Sequence, residues 1–196
     1  FKGIRRIPPP PENVSGTLEG YRCINSRVGP YSNDVDGELF GVFLNPSNFK
    51  QIIIQRTTDY GETWAISDQA NGPGLIVGLD YGYNDKTSFD SFAADGFIHV
   101  ATQETDGSVQ YHRYNMTSHS WVTINESVCG PQSNGVNAHC VSIEESYPDK
   151  ELTIYFQGDR QQVIGLWYLR GYYSKKSGST WSSPVMVTPD PGTYPD

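Results

Sequence analysis

The sequence predicts an all-β chain made of three successive four-stranded antiparallel units, and three observations carry that prediction. The 196 residues include 20 Gly, 13 Tyr, 8 Phe and 4 Trp and almost no helix-forming runs of Ala, Leu, Glu and Lys, a composition suited to strands and turns. Short apolar runs are separated by turn chemistry at Asn45-Pro46-Ser47-Asn48, Asp95-Gly96, Asp106-Gly107 and Pro148-Asp149-Lys150. Trp64, Trp121 and Trp181 recur 57 and 60 residues apart, the mark of a repeat architecture.

In order, residues 1–19 read as an N-terminal arm. Phe1 to Ile7 suits an added edge strand, and Pro8 to Pro11 form a stiff polyproline connector. The chain opens on Phe rather than Met, as expected of a processed or cut product, or of one whose start lies outside the sequence. Residues 20–188 hold the three units. The first places strands near 21–27, 38–45, 51–57 and 63–68. The second places them near 88–94, 97–103, 108–114 and 120–126, with period-2 alternation clear in Ser108 to Tyr114. The third places them near 138–145, 151–158, 165–174 and 182–188. Residues 189–196 read as a tail or the start of a further unit.

Each tryptophan closes a turn between the third and fourth strands of its unit. In Thr57-Thr58-Asp59-Tyr60-Gly61-Glu62-Thr63-Trp64, an Asp side chain can bond backbone N–H groups ahead of it and a Gly can take φ > 0. This stretch resembles the Asp-box (BNR repeat) of the sialidase-like β-propellers, Ser/Thr-x-Asp-x-Gly-x-Thr-Trp. Thr57, Asp59, Gly61, Thr63 and Trp64 match every defined position. A second copy keeps Ser174, Gly178, Thr180 and Trp181 but has Lys176 in place of the Asp, so its turn must be held some other way. The third, Tyr114 to Trp121, keeps only the Trp, with Ser120 where the Thr would stand. The resemblance implies propeller blades over residues 20–188 and a structural role for the box residues. Three blades do not close a ring, which typically needs four to eight. A fragment of a six-bladed propeller, a ring completed by two copies, and an open domain within a larger assembly all remain open.

The resemblance also implies what catalysis would require: an arginine trio gripping a carboxylate, a Tyr/Glu nucleophile pair and an Asp acid. Arg6-Ile7-Pro8 fits the end of the family's first arginine motif, but Arg5 replaces its aromatic residue and polyproline follows, so Arg6 is a weak catalytic candidate. Arg22, Arg27, Arg56, Arg113, Arg160 and Arg170 lack motif context. Tyr147 lies near Glu144 and Glu145, yet neighbouring strand residues point to opposite faces, and Asp36-Gly37 reads equally as a turn. Binding demands less. The inner strands and the loops at one end of a propeller form its ligand funnel, and those here carry Tyr21, Arg22, Arg27, Tyr31, Asp90, Asn137 and His139. Aromatic rings beside Arg, Asp and Asn suit sugars, and tyrosine-rich surfaces equally suit proteins. Taken alone, each of these residues also suits ordinary packing.

The formal net charge of −8 argues against nucleic acid and anionic membranes, which need a cationic face, and no apolar run approaches membrane-spanning length. The three cysteines cannot pair fully within one chain. A Cys129–Cys140 disulfide around the loop at 130–135 and three reduced thiols fit equally. Their spacing does not suit a metal, and no cofactor is expected. Asn13, Asn115 and Asn125 head glycosylation sequons. The expectation is a non-catalytic recognition or assembly module holding a glycan or protein partner. Such a module would be a homo-oligomer or part of a larger assembly, on a phage virion (tail or surface) or in a secreted, extracellular protein. An exo-sialidase-type glycoside hydrolase and a purely structural subunit are the alternatives.

Overall fold

Three antiparallel sheets follow one another along the chain in the computed structural model, which describes residues 27–45, 48–67, 75–76, 89–104, 108–130, 141–163 and 166–187. The first contains β1 (Leu39–Asn45), β2 (Asn48–Thr57), β3 (Ala65–Ile66) and β4 (Leu75–Ile76). The second runs β5 (Phe89–Ala94), β6 (Phe97–Gln103), β7 (Val109–Asn115), β8 (Ser120–Cys129) in simple meander order. The third contains β9 (Val141–Glu145), β10 (Leu152–Val163), β11 (Leu166–Ser177), β12 (Thr180–Trp181) and β13 (Val185–Met186).

The second sheet matches its sequence expectation most closely, and the other two depart from theirs for identifiable reasons. The expected strand at 63–68 shrinks to β3, because β4 takes the other half of the same β2 edge through Gln51–Ile76 and Ile52–Leu75. Of the expected strand at 182–188 only β13 forms, and β12 lies just before that span. Pro184 stands in the gap and has no N–H to give to a ladder. The expected innermost strand of the first unit, 21–27, lies outside the described residues except for Arg27. The segment that borders β1 is a little later: Tyr31 exchanges 2.8 Å bonds with Phe40, and the Val42 N–H donates to the Val28 carbonyl at 2.9 Å. Gly29 makes that approach feasible. Its φ is +108°, and a Cβ there would sit 2.8 Å from the Phe40 carbonyl oxygen.

Alternation along the strands stacks the sheets face to face. Phe40, Val42, Ile52 and Ile54 of the first sheet pack on Phe89, Ile98, Val100 and Tyr114 of the second. The opposite face of the second sheet, with Ala101, Val109 and Tyr111, packs on Val141, Ile143, Ile154 and Phe156 of the third. Being covered on both sides, β6 is buried along nearly its whole length, as a strand within two cores must be. Each such buried Ile, Val or Phe contributes about 1.5–3 kcal/mol.

The middle sheet also buries two histidines. His112 accepts the Asn125 N–H at Nδ1 (3.0 Å), so its proton sits on Nε2 and is given to Thr102 Oγ1 at 2.9 Å. Burial pushes its pKa down to about 3. His99 lies parallel to Phe92, ring centroids 4.8 Å apart, with Nδ1 2.7 Å from the Tyr111 hydroxyl. Burial, reinforced by the Arg113 charge, lowers its pKa to about 4.

The three tryptophan turns are held in three different ways. In the first, Thr57 Oγ1 donates to Asp59 Oδ1 and accepts the Gly61 N–H at 3.0 Å. Asp59 in turn accepts the Thr63 N–H at 2.9 Å and the Thr63 hydroxyl at 2.6 Å, and Trp64 Nε1 donates to the Gly61 carbonyl at 3.2 Å. Gly61 takes φ +96°. These bonds, led by that from Thr57, hold the Asp59 carboxyl down at about 2.

In the second copy, Lys176 reaches across to the neighbouring sheet. Its ammonium pairs with Glu126 of β8 and lies 4.7 Å from the Tyr111 ring centre and 5.2 Å from that of Trp181. Trp181 Nε1 donates to the same Glu126 oxygen at 2.7 Å. Ser174, fully buried, donates to the Ser182 carbonyl at 2.6 Å, and Gly178 takes φ +60°. In the third copy Asn115 takes over, accepting the Thr117 and Ser118 N–H groups at 2.8 and 2.9 Å. It stands one position earlier than the Asp of the first copy.

Candidate functional site

Three of the seven residues proposed for a ligand funnel meet where the inner strands of the sheets converge. Arg27 precedes the segment bordering β1, Asp90 lies on β5, and Ser142 and Ile143 lie on β9. Asp90 Oδ1 accepts the Arg27 backbone N–H at 2.8 Å and its Nε–H at 3.3 Å. Asp90 Oδ2 accepts Arg27 Nη2 at 2.8 Å and both the Ser142 hydroxyl and the Ile143 N–H at 3.0 Å. Arg27 Nη2 also donates to the Ile143 carbonyl. One carboxylate therefore ties together elements from all three sheets.

Burial separates the roles. Asp90 is fully buried and both its oxygens are saturated, so it orients Arg27 and does not meet a ligand itself. Arg27 keeps 48% of its side chain exposed, with its guanidinium 5.8 Å from the Phe92 ring centre. Its hydrogen bond to Asp90 leads the causes that raise its pKa, so it stays a fixed cation. Tyr31 turns inward: its hydroxyl donates to the Ser91 carbonyl at 2.7 Å, and the Ser91 hydroxyl donates to the Arg27 carbonyl at 2.5 Å. Burial pushes Tyr31 up to about 12, so its phenol stays protonated at neutral pH.

Tyr21, Arg22, Asn137 and His139 lie outside the described residues, as do Arg6, Asn13 and Cys140. Cys129 is buried at the end of β8, with its Sγ 3.2 Å from the Gly130 carbonyl oxygen. Asn115 is half-buried in its turn and Asn125 is exposed. Two further arginines are engaged elsewhere: Arg56 pairs with buried Glu38, and Arg113 lies 4.7 Å over the Phe97 ring. Tyr147 is 96% exposed beyond β9, and Asp36 accepts the Tyr60 hydroxyl, which fits its reading as a turn residue. Among the described residues, no group of His, Cys, Asp or Glu is placed to hold a metal ion, and no helix is long and apolar enough to cross a membrane.

Sequence reasoning missed Ser91, Phe92, Ser142 and Ile143. The signal for them was present. Ser91 and Phe92 directly follow Asp90, and Ser142 and Ile143 lie in the first expected strand of the third unit.

No protein-family model and no curated protein matches the sequence. Among solved structures, the fold is similar to the Bacteroides ovatus xyloglucan PUL GH43B, at a TM-score of 0.46 and 14% identity. That match covers 85% of this chain and 30% of that one. A likeness at this level does not place the chain in that protein's family.

Proposed function

We propose that the chain is a propeller-type recognition module. In this reading, glycan hydroxyls or a glycan carboxylate bind at the meeting point of the inner strands, with Arg27 as the contact residue. The observation that carries the reading is the half-exposed Arg27 guanidinium, held in a fixed pose by a fully buried Asp90 beside the Phe92 ring. A planar cation fixed next to an aromatic face suits bidentate recognition of a carboxylate or a pair of hydroxyls.

A binding role is favoured over hydrolysis on three grounds. Asp90 has no free oxygen with which to act as an acid. Tyr31 is raised to about 12 and turned inward, away from any nucleophilic role. Arg56 and Arg113 are committed to Glu38 and Phe97 rather than gathered around Arg27. An extracellular or virion setting and a multimeric assembly accord with this reading.

The test is a glycan array followed by titration calorimetry on the best ligand. Arg27→Lys keeps the charge but loses the fork, and it is expected to weaken binding about tenfold or more. A fluorogenic sialoside should remain intact. Unchanged affinity in Arg27→Lys, or turnover of the sialoside, would overturn the reading.

A further inference from the structure

Beside the first tryptophan turn lies a cavity that plays no part in the Arg27 joint. Its volume is about 200 Å³, and Arg56, Thr58, Thr63, Trp64, Ala65 and Ser67 are among the residues that line it. Strand register fixes which side of the sheet it is on. Arg56 pairs with the core residue Phe40 on one flank and with Ala65 on the other, so Arg56 and Ala65 share the face turned toward the second sheet. Ser67 follows two residues on, and its hydroxyl lies 2.7 Å from the Tyr114 hydroxyl of β7. The cavity thus opens at the rim where two sheets of this chain meet.

Arg56 is anchored there from below. Its Nε–H is given to Glu38, a carboxylate only 4% exposed, whose other oxygen accepts from Asn33 Nδ2. His119 Nε2 stands 3.4 Å from the oxygen that Arg56 holds. This anchor uses one of the five N–H donors of a guanidinium. Among the described residues the two terminal nitrogens make no hydrogen bond, and 33% of the side chain is exposed. The neighbouring hydroxyls add acceptors. Thr63 gives its proton to Asp59 Oδ2 at 2.6 Å, so its oxygen can only accept from a further group. Thr58 is exposed and can donate or accept.

We infer that this cavity binds one neutral sugar ring, with two adjacent hydroxyls taking the terminal N–H groups of Arg56. The donor set selects that ligand first. A sugar hydroxyl both accepts and donates, which suits a guanidinium fork beside the Thr63 oxygen, whereas a carboxylate only accepts. Charge agrees. Glu38 already balances Arg56, so an anion would enter with no cation left to match it. Size sets the limit. Cavities for drug-sized molecules run from roughly 300 Å³ upward, so this one suits a single ring beside the Trp64 indole. The site shares no residue with the Arg27 joint, and its failure would leave that reading intact.

Amide and indole N–H spectra of the full chain read the outcome, with methyl glycosides of glucose, galactose, mannose and xylose titrated from roughly 1 to 100 mM. At least one of the four should give saturable shifts at Trp64 Nε1–H and at the Thr58 and Ala65 amides, and acetate should give none. Arg56→Lys keeps a cation for Glu38 but loses the fork, so binding should weaken about tenfold or more. Ala65→Leu leaves the Arg56–Glu38 pair untouched and fills the cavity from an exposed position, and the same loss is expected. The Ile143 amide reports on the Arg27 joint separately, and its response should be the same in both variants as in the wild type. No shift at Trp64 with any of the four glycosides would overturn the inference. A stronger response to acetate than to the glycosides, or undiminished binding in Ala65→Leu, would overturn it equally.

Discussion

The first and last tryptophan turns share part of one sequence pattern and are held by opposite means. Around Asp59 every side-chain bond closes within eight residues, and the turn's ties beyond the motif, from Tyr60 to Asp36 and Gly37 and from Trp64 to Phe43, run to its own sheet and the segment leading into it. Around Lys176 the equivalent work is done by Glu126, 50 residues away on another sheet, and by the Tyr111 ring. With an ammonium where the first turn has a carboxylate, the last turn is a tie between sheets rather than a local staple. The first turn is thus held largely by its own residues, whereas the last depends also on the interface it spans.

Acid should separate the two most sharply. Tyr111, on which Lys176 rests, is hydrogen-bonded to His99. The folded pKa values of His99 and His112 lie below their unfolded value of about 6.5. Their contribution is therefore complete above pH 6.5 and is lost as pH falls toward about 4 and about 3. Each should cost about 1.4 kcal/mol per pH unit in that window, or roughly 3 kcal/mol from His99 alone by pH 4. Urea melts at stepped pH should show this slope, and His112→Gln should flatten it. Asp59 also has a depressed pKa, so its support is present above about 3.8 and lost only as pH falls toward about 2. Amide exchange at Gly61 and Thr63 should stay slow in the range where the Trp181 turn is already opening.

Restoring the motif should make the last turn worse. Lys176→Asp writes the first turn's residue into the second, but sets a carboxylate against Glu126 in a partly buried site. A loss of about 2–3 kcal/mol in chemical denaturation is expected. A gain in stability would mean that the Asp staple is portable after all. Glu126→Gln is milder: it keeps an acceptor for Trp181 but leaves the Lys176 charge unmatched, for about 1–2 kcal/mol. The smallest global effect should come from Asp59→Ala. Its exposed carboxylate organises only its own turn, so exchange protection should vanish at Thr63 while the midpoint of unfolding scarcely moves.

These differences also mark what the sequence could express. Where strand and turn are set by neighbours along the chain, the reading was close. β6 was expected at 97–103 and is found there, and Thr57, Asp59, Gly61, Thr63 and Trp64 take the roles their types suggest. Where a partner lies far away in sequence, the reading could only mark a gap. Lys176 was visibly wrong for its motif, but nothing local names Glu126. The convergence of Arg27, Tyr31 and Asp90 was anticipated as a group of inner-strand residues, and their division of labour was not. Burial of Asp90 depends on Ser142 and Ile143, more than 50 residues later.

The bonds of Asp90 also bear on the order in which the chain can assemble during synthesis. Its partners are separated from it by 63 residues on one side and 53 on the other, while most strand pairs within the sheets are adjacent hairpins. On the ribosome, the first and second sheets can form as they emerge, and Arg27 can reach Asp90, but the joint is complete only with Ser142 and Ile143. Until then the Asp90 oxygen that Ser142 and Ile143 will cover keeps water in their place. Closing such long loops is slow relative to hairpin formation. The central joint should accordingly be the last part of a nascent chain to become resistant to protease, and a ribosome stalled before Ile143 emerges should present two folded sheets with the joint still open.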